Sequence, residues 1–248
     1  MFTAIHNGHE VRDELKDNFK IDDDTQLREE DPFTEYFTKV VANQIIVNTS
    51  RFEVDLNRNL EKCFYINPAD AWGLEVHKTK PTDEMIDASR KEYEVFYKRT
   101  KLFLDEMLQI HDIFFVLDIH SYNHQRKGID AQFDDPQKNP EIILGTNNMD
   151  KRYFPFVDKI KEEIGKFDYF GRKLDVRINV KYPGGNFSRW LHNTYPDKVI
   201  CIAIEFKKIF MNEWTAEIYE DKMDKLQEML QFIKPTILKE LFYLQRKR

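Results

Sequence analysis

Residues 113–120 read Ile-Phe-Phe-Val-Leu-Asp-Ile-His, a run of β-branched and aromatic side chains that ends abruptly at Asp118, His120 and a polar stretch. Such a run has the length and composition of a buried strand rather than a helix. A buried strand that carries an imidazole to its carboxyl end places a metal ligand or a base in a cleft. The plainer reading of His120 is a core histidine satisfied by a neighbour, so the rest of the chain has to decide between them.

Comparable short apolar runs recur at Phe2–Ile5, Gln44–Val47, Ile142–Leu144, Val176–Val180 and Val199–Phe206. Segments with helical spacing lie between them: Pro32–Ala42 (with Asp31 as N-cap and proline at the first helical position), Thr82–Gln109, Tyr153–Phe167, and Trp214–Leu244, bent or broken at Pro235. Strands that alternate with helices predict an α/β fold, a three-layer sandwich with a mixed, mostly parallel central sheet. No repeat, low-complexity tract or linker divides the chain, so residues 1–248 are expected to form a single domain. The aromatic- and proline-rich stretch from Cys63 to Pro81 and the polar stretch from Asp130 to Pro140 read as long loops, and both are candidate cleft walls.

Composition narrows the partners. The 38 Lys and Arg are interspersed with 44 Asp and Glu, for a net charge of −6, which offers no electrostatic footprint for nucleic acid or an anionic membrane. Cys63 and Cys201 are the only cysteines, far apart, which excludes a cysteine zinc site or a disulfide framework and suits a reducing cytosol. The first residues, MFTAIHNGHE, lack a signal-peptide pattern, and no apolar run approaches the roughly 20 residues that span a bilayer. A cytoplasmic protein is expected, of undetermined oligomeric state.

The predicted strands share a further property: each is followed by polar or reactive residues. Ile5 leads into His6-Asn7-Gly8-His9-Glu10, Val47 into Asn48-Thr49-Ser50-Arg51 and then Asp55-Leu56-Asn57-Arg58, Ile119 into His120-Ser121, and Ile204 into Glu205. Ligands of open α/β sheets bind beyond the carboxyl ends of the strands. Zinc takes neutral imidazoles and carboxylates, and a catalytic site keeps three protein ligands and one open position. His6 and His120 supply two ligands; the acidic third is open among Glu10, Glu29, Glu30 and Asp31. An N-cap role for Asp31 favours Glu29 or Glu30. Glu205 sits on an almost wholly apolar strand, where a carboxylate is costly unless it is paired or faces a cleft. It reads as a general base, or else as the ion-pair partner of Lys207 or Lys208. Arg51 and Arg58, beside Asn57, are anion clamps of the bidentate kind, and Arg189, after Gly184-Gly185, is a third candidate. His9 and His124 are expected around the site or in solvent, His111 as structural, and His77 and His192 in loops or on the surface.

Together these segments resemble a known group. Leu117-Asp118-Ile119-His120-Ser121-Tyr122, Asp55-Leu56-Asn57-Arg58 and Ile204-Glu205-Phe206 are similar, in the same order, to the histidine, Asn-Arg and glutamate segments of zinc metallocarboxypeptidases. The N-formylglutamate amidohydrolase family, a smaller relative, is the closer match. Its early His-x-Gly (His6-Asn7-Gly8), the acidic segment before the first long helix, Ser50-Arg51 and Asp118-Ile119-His120-Ser121 are all present. The resemblance runs from His6 to about Trp214. It departs where the carboxypeptidases have a glutamate three residues after the first histidine, since His9 stands there, and where the formylglutamate enzymes have an Asp-x-Asp-type segment, since Arg28-Glu29-Glu30-Asp31 stands there. It implies one Zn2+ per chain held by His6, an acidic residue and His120, with Glu205 as base and Arg51, Asn57 and Arg58 on a substrate carboxylate. The implied substrate is a small N-acyl amino acid with a free carboxylate, N-formyl-L-glutamate foremost. A carboxypeptidase or deacylase acting on a peptide or modified amino-acid tail, and a metal-free carboxylate-binding module, are the other readings.

Overall fold

The computed structural model describes residues 1–246. Six strands form one sheet: β1 (Phe2–Ala4), β2 (Gln44–Ile46), β3 (Phe114–Tyr122), β4 (Ile142–Gly145), β5 (Val176–Ile178) and β6 (Val199–Lys207). Their order is β2-β1-β3-β6-β4-β5. β1, β2, β3 and β6 run parallel, and β4 meets β6 antiparallel and β5 parallel, so the sheet is mixed and mostly parallel as the sequence predicts. Among the described residues seven α-helices accompany it: α1 (Asp13–Asn18), α2 (Asp23–Glu29), α3 (Thr34–Thr38), α4 (Asp83–Ile110), α5 (Phe154–Ile164), α6 (Asn186–Thr194) and α7 (Glu220–Arg246).

Side-chain alternation along the two central strands assigns the layers. Phe115, Leu117 and Ile119 of β3, with Ile200, Ile202, Ile204 and Phe206 of β6, pack against α3, α5 and α7. Phe114 and Val116, with Val199 and Cys201, pack against α4 and α6 on the other face. Both faces are covered, which is why these strands read as continuous apolar runs. The same period carries Asp118, His120 and Glu205 onto the α4/α6 face. His120 and Glu205 are register partners on adjacent strands. A third cluster (Leu15, Phe19, Phe52, Phe64, Tyr65, Val76) anchors the 63–81 loop, so this wall has a core of its own.

The structure departs from the sequence reading in four places. β3 runs on through His120 to Tyr122, because its ladder with β6 continues to the Tyr122–Lys207 pair. The helix expected from Pro32 to Ala42 is the short α3, and Asp31 is not its N-cap: Phe33 occupies that position with a left-handed backbone (φ 66°). The helix expected from Trp214 begins at Glu220 and passes through Pro235 without ending. Pro235 and Gln231 are both exposed, so water can satisfy the carbonyl that the proline leaves unbonded. Helices α1, α2 and α6 were not anticipated: α1 and α2, six and seven residues long, carry one leucine each, and α6, with Phe187, Trp190 and Leu191 at helical spacing, spans only nine residues directly after the Gly184-Gly185 turn signal.

Phe37 of α3 is fully buried, with ring centroids 4.9 Å from Phe206 and 5.4 Å from Phe210. It pins α3, and the segment leading into it, to the sheet. Phe37→Ala is expected to lower stability by about 3–5 kcal/mol, the cost of a large buried cavity. Chemical denaturation measures this, and a loss under about 1 kcal/mol would show that α3 is not held by this contact.

Candidate active site

His6 follows β1, Asp31 follows α2, and His120 lies near the end of β3; one ligand-type atom from each falls within 4.8 Å of the others, all buried. The backbone joins two of them directly, since Asp31 N–H donates to the His6 carbonyl at 3.0 Å. Gly8 lets the segment after His6 run against the chain that follows β2: a Cβ there would lie 2.1 Å from the Asn48 backbone, so the glycine of the His-x-Gly segment is a close-approach residue.

Both imidazoles are held the same way. His6 Nε2 is 2.8 Å from Asp55 Oδ1, and His120 Nε2 is 2.9 Å from Asp118 Oδ2. Carboxylates only accept, so each Nε2 carries its proton and each Nδ1 is turned inward. Both Nδ1 atoms face Asp31 Oδ2, at 3.6 Å from His6 and 2.9 Å from His120. Asp118 is fixed in turn by Thr3 Oγ1 at 2.7 Å, and Asp55 by the Tyr65 hydroxyl at 2.5 Å and the Asn57 N–H at 2.9 Å. Burial works against charge on Asp31, but with the rings doubly protonated, hydrogen bonds from His120 and His6 outweigh it and hold the carboxyl well below its usual range. Burial likewise opposes a proton on His120, and Asp118 together with Asp31 overcomes it.

This donor set fits a divalent cation. With Nε2–H committed to Asp55 and Asp118, two Nδ1 lone pairs and a carboxylate oxygen face one another with no hydrogen between them unless the rings take extra protons. Two imidazoles and one carboxylate, each oriented by an outer partner, are the composition of a three-ligand zinc site. Glu29 and Glu30, the acidic residues favoured from sequence, are engaged elsewhere although both line the cleft. Glu29 is bound by Arg28 at 2.7 Å and by Arg126 at 3.2 Å. Glu30 is bound by His9 at 2.7 Å, by Gln26 at 2.9 Å and by the Ser50 hydroxyl. The extended backbone at Glu30 (ψ 179°) is the reason, since it turns Asp31 away from these partners. Glu10 is exposed.

Glu205 lies across the strand pair from His120 and lines the same cleft. No donor among the described residues hydrogen-bonds its carboxylate. The alternative ion pairs are absent: Lys207 Nζ donates to the Asn139 carbonyl at 2.9 Å, and Lys208 Nζ to the carbonyls of Arg28 and Glu30 at 2.7 and 2.8 Å. Burial first, and repulsion by Asp31 and Asp118 after it, push the Glu205 carboxyl up to about 8, against the pull of His120 and Arg51.

Arg51, Asn57 and Arg58 come together on one wall. Arg51 reaches Asp55 at 3.2 Å and stacks on Trp72 at 4.7 Å; Arg58 reaches Asp55 at 3.2 Å and stacks on Tyr65 at 4.8 Å. Arg189 does not join them, because it lies on the exposed side of α6 while the neighbouring Phe187, Ser188 and Leu191 face inward. Asn57 is oriented by α6: its Oδ1 accepts from Phe187 N–H at 3.0 Å, which leaves Nδ2 beside His120, 3.5 Å from Nε2. A Cβ on Gly185 would lie 2.1 Å from that Oδ1. His9 and His124 pair with Glu30 and Glu213 around the site. His77 and His192 bond the Tyr65 carbonyl and the Cys201 N–H. Sequence reasoning gave no role to Asp118, Tyr182 or Arg126 and weighed Lys208 only as an ion-pair partner of Glu205; Asp118 alone had a visible signal, as a charge within an apolar strand.

The cleft volume is about 200 Å³. A larger groove of about 570 Å³ between β2 and α4 is mainly apolar and has no convergent ligating groups.

The family model described as N-formylglutamate amidohydrolase matches residues 1–211. A crystal structure of N-formylglutamate amidohydrolase from Ralstonia eutropha JMP134 superposes with a TM-score of 0.75 at 16% identity, covering 100% of this chain and 94% of that one. The structure of a gene product from Agrobacterium tumefaciens gives 0.67 at 16% identity, covering 97% and 90%. No curated protein matches the sequence significantly. Among the described residues no helix is long and apolar enough to cross a membrane.

Gly185→Ala is expected to displace Asn57 and raise KM roughly tenfold for a carboxylate substrate, with a smaller change in kcat, as for a lost uniform binding contact. Steady-state kinetics measure this; unchanged KM in a folded variant would separate Asn57 from substrate binding.

Proposed function

As the chain belongs to the N-formylglutamate amidohydrolase family, we propose that its cleft hydrolyses the amide of a small N-acyl amino acid, N-formyl-L-glutamate foremost, giving formate and L-glutamate. The observation that carries this reading is the convergence of His6 Nδ1, His120 Nδ1 and Asp31 Oδ2 beside an unpaired Glu205. We assign the trio to one zinc ion, with Asp31 as the acidic ligand. Bound there, the cation would supply Lewis acidity, polarising the acyl carbonyl and easing deprotonation of water.

The chain's own residues provide the rest. Arg58 and Asn57 grip a substrate carboxylate and so set the amide against the base, while Arg51, between Asp55 and Asp31, adds positive potential where negative charge develops on the acyl oxygen. Glu205 takes the proton of the attacking water as oxygen bonds to the acyl carbon. It then delivers that proton to the amine nitrogen as the C–N bond breaks. A cleft of about 200 Å³ lies below the roughly 300–1,000 Å³ of drug-sized pockets, which favours an amino-acid-sized substrate over a peptide tail.

Glu205→Gln is expected to lower kcat by about 10²–10⁴-fold while metal content is kept. Full activity in that variant would remove Glu205 from the mechanism. The base works as the carboxylate, so kcat/KM should rise with pH through its titration. A nearby cation favours ionisation and sets that limb below about 8, the position without metal. A fall in kcat/KM over the same range would contradict the role. Elemental analysis should find one zinc per chain, and Asp118→Asn should weaken metal binding by roughly 10–100-fold. Protein purified without chelator but free of metal would favour a carboxylate-binding module.

A further inference from the structure

The cleft contains a second cationic group with no role in the scheme above. Arg126, on the loop after β3, lines the cleft with its side chain 37% exposed. Its Nη1 and Nη2 approach Glu29 at 3.4 and 3.2 Å. Glu29 does not depend on this contact, because Arg28 Nη1 at 2.7 Å and Asn123 Nδ2 at 3.3 Å also serve it. Arg28 is fixed in place, bound to Glu29 and Glu213 and stacked 3.8 Å over Trp214. Lys208 is committed to two backbone carbonyls. Of the three cations on this wall, Arg126 is therefore the one able to change partner.

The surroundings carry an independent sign of a ligand. Ser121 Oγ is buried and lacks any hydrogen-bond partner, and Ser121 lines the cleft. Orphaned buried polar atoms are rare and point to a group that completes them. The Ser121 hydroxyl can donate to an anion. Tyr182 lines the same cleft, and burial raises its hydroxyl above the usual range, keeping it a donor. The Arg51/Arg58 pair is bound to Asp55 and Asp31, so the two cationic groups share no partner.

We propose that Arg126, with Ser121 Oγ, seats a second carboxylate of the substrate, exchanging Glu29 for it, and so makes the site selective for dicarboxylic N-acyl amino acids. This rests on the amidohydrolase reading. The test compares kcat/KM for N-formyl-L-glutamate and N-formyl-L-glutamine in the zinc-loaded wild type, Arg126→Ala and Arg126→Lys. Arg126→Ala should lose roughly 10- to 100-fold on the glutamate substrate and less than about threefold on the glutamine substrate, with partial recovery in Arg126→Lys. Equal losses on both substrates, or unchanged selectivity, overturn the assignment. Calorimetry with glutarate and butyrate needs no turnover. Preference for glutarate in the wild type and its loss in Arg126→Ala support the seat; the same preference in both proteins, or none in the wild type, overturns it. Failure of the wild type to hydrolyse either formyl substrate sinks the amidohydrolase reading, and glutarate binding still decides the seat.

Discussion

The parallel ladder between β3 and β6 is the constraint on which the rest of the molecule depends. It pairs nine residues of each strand from Phe114–Val199 to Tyr122–Lys207, and its apolar part is covered on both faces. That burial fixes the register, because a one-residue slip would exchange the faces of every side chain in a strand. The same register brings His120 and Glu205 side by side, with Asp118 two residues before His120 on the same face. A prospective base and a prospective ligand are thus spaced by the core itself rather than by a loop, which holds them to the tolerance that catalysis needs.

Charge balance explains how so many ionisable groups are buried together. Asp31, Asp55, Asp118 and Glu205 surround the two imidazoles, and Arg51 and Arg58 are the guanidiniums that reach them. Four carboxylates against two guanidiniums leave negative charge in excess. Without a metal the structure relieves this with protons: the neighbouring carboxylates raise His120 well above its ordinary value, and they add to burial, the larger cause, in pushing Glu205 up to about 8. A divalent cation among the three ligand atoms would relieve the same excess without them. Buried charge of this kind contributes little net stability and persists where it serves a site.

The central strands, the long helix α4 and the flanking residues His6, Arg51, Asn57, Arg58, His120 and Glu205 were legible in the sequence because each signal is local. A strand-length apolar run announces itself, and so does a reactive residue at its end. Three things were not local. Asp31 next to Pro32 has the pattern of a helix start, yet the chain turns at Phe33 and frees the carboxylate. That choice is made by the hydrogen bond from Asp31 N–H to His6 and by Phe37 packing under the sheet, contacts with residues far from Asp31. The segment from Gly184 gave a turn signal, whereas the structure uses it to start α6 and orient Asn57. Arg126 lay in a polar stretch with nothing to distinguish it from a solvated loop cation.

Asp55 shows how one residue joins these levels. In sequence it precedes Leu56-Asn57-Arg58 and reads as part of a loop motif. In the fold it is fully buried, its N–H donates to the Cys63 carbonyl at 2.7 Å, and its side chain takes bonds from His6, Tyr65, Asn57, Arg51 and Arg58. Burial opposes its ionisation, but Arg51 and His6 hold it well below the usual range, so it stays a carboxylate. One anion thereby sets the tautomer of His6 and the direction of both guanidiniums. The position of His6 and the directions of Arg51 and Arg58 are therefore coupled through a single side chain, and a displacement of one is felt by the others.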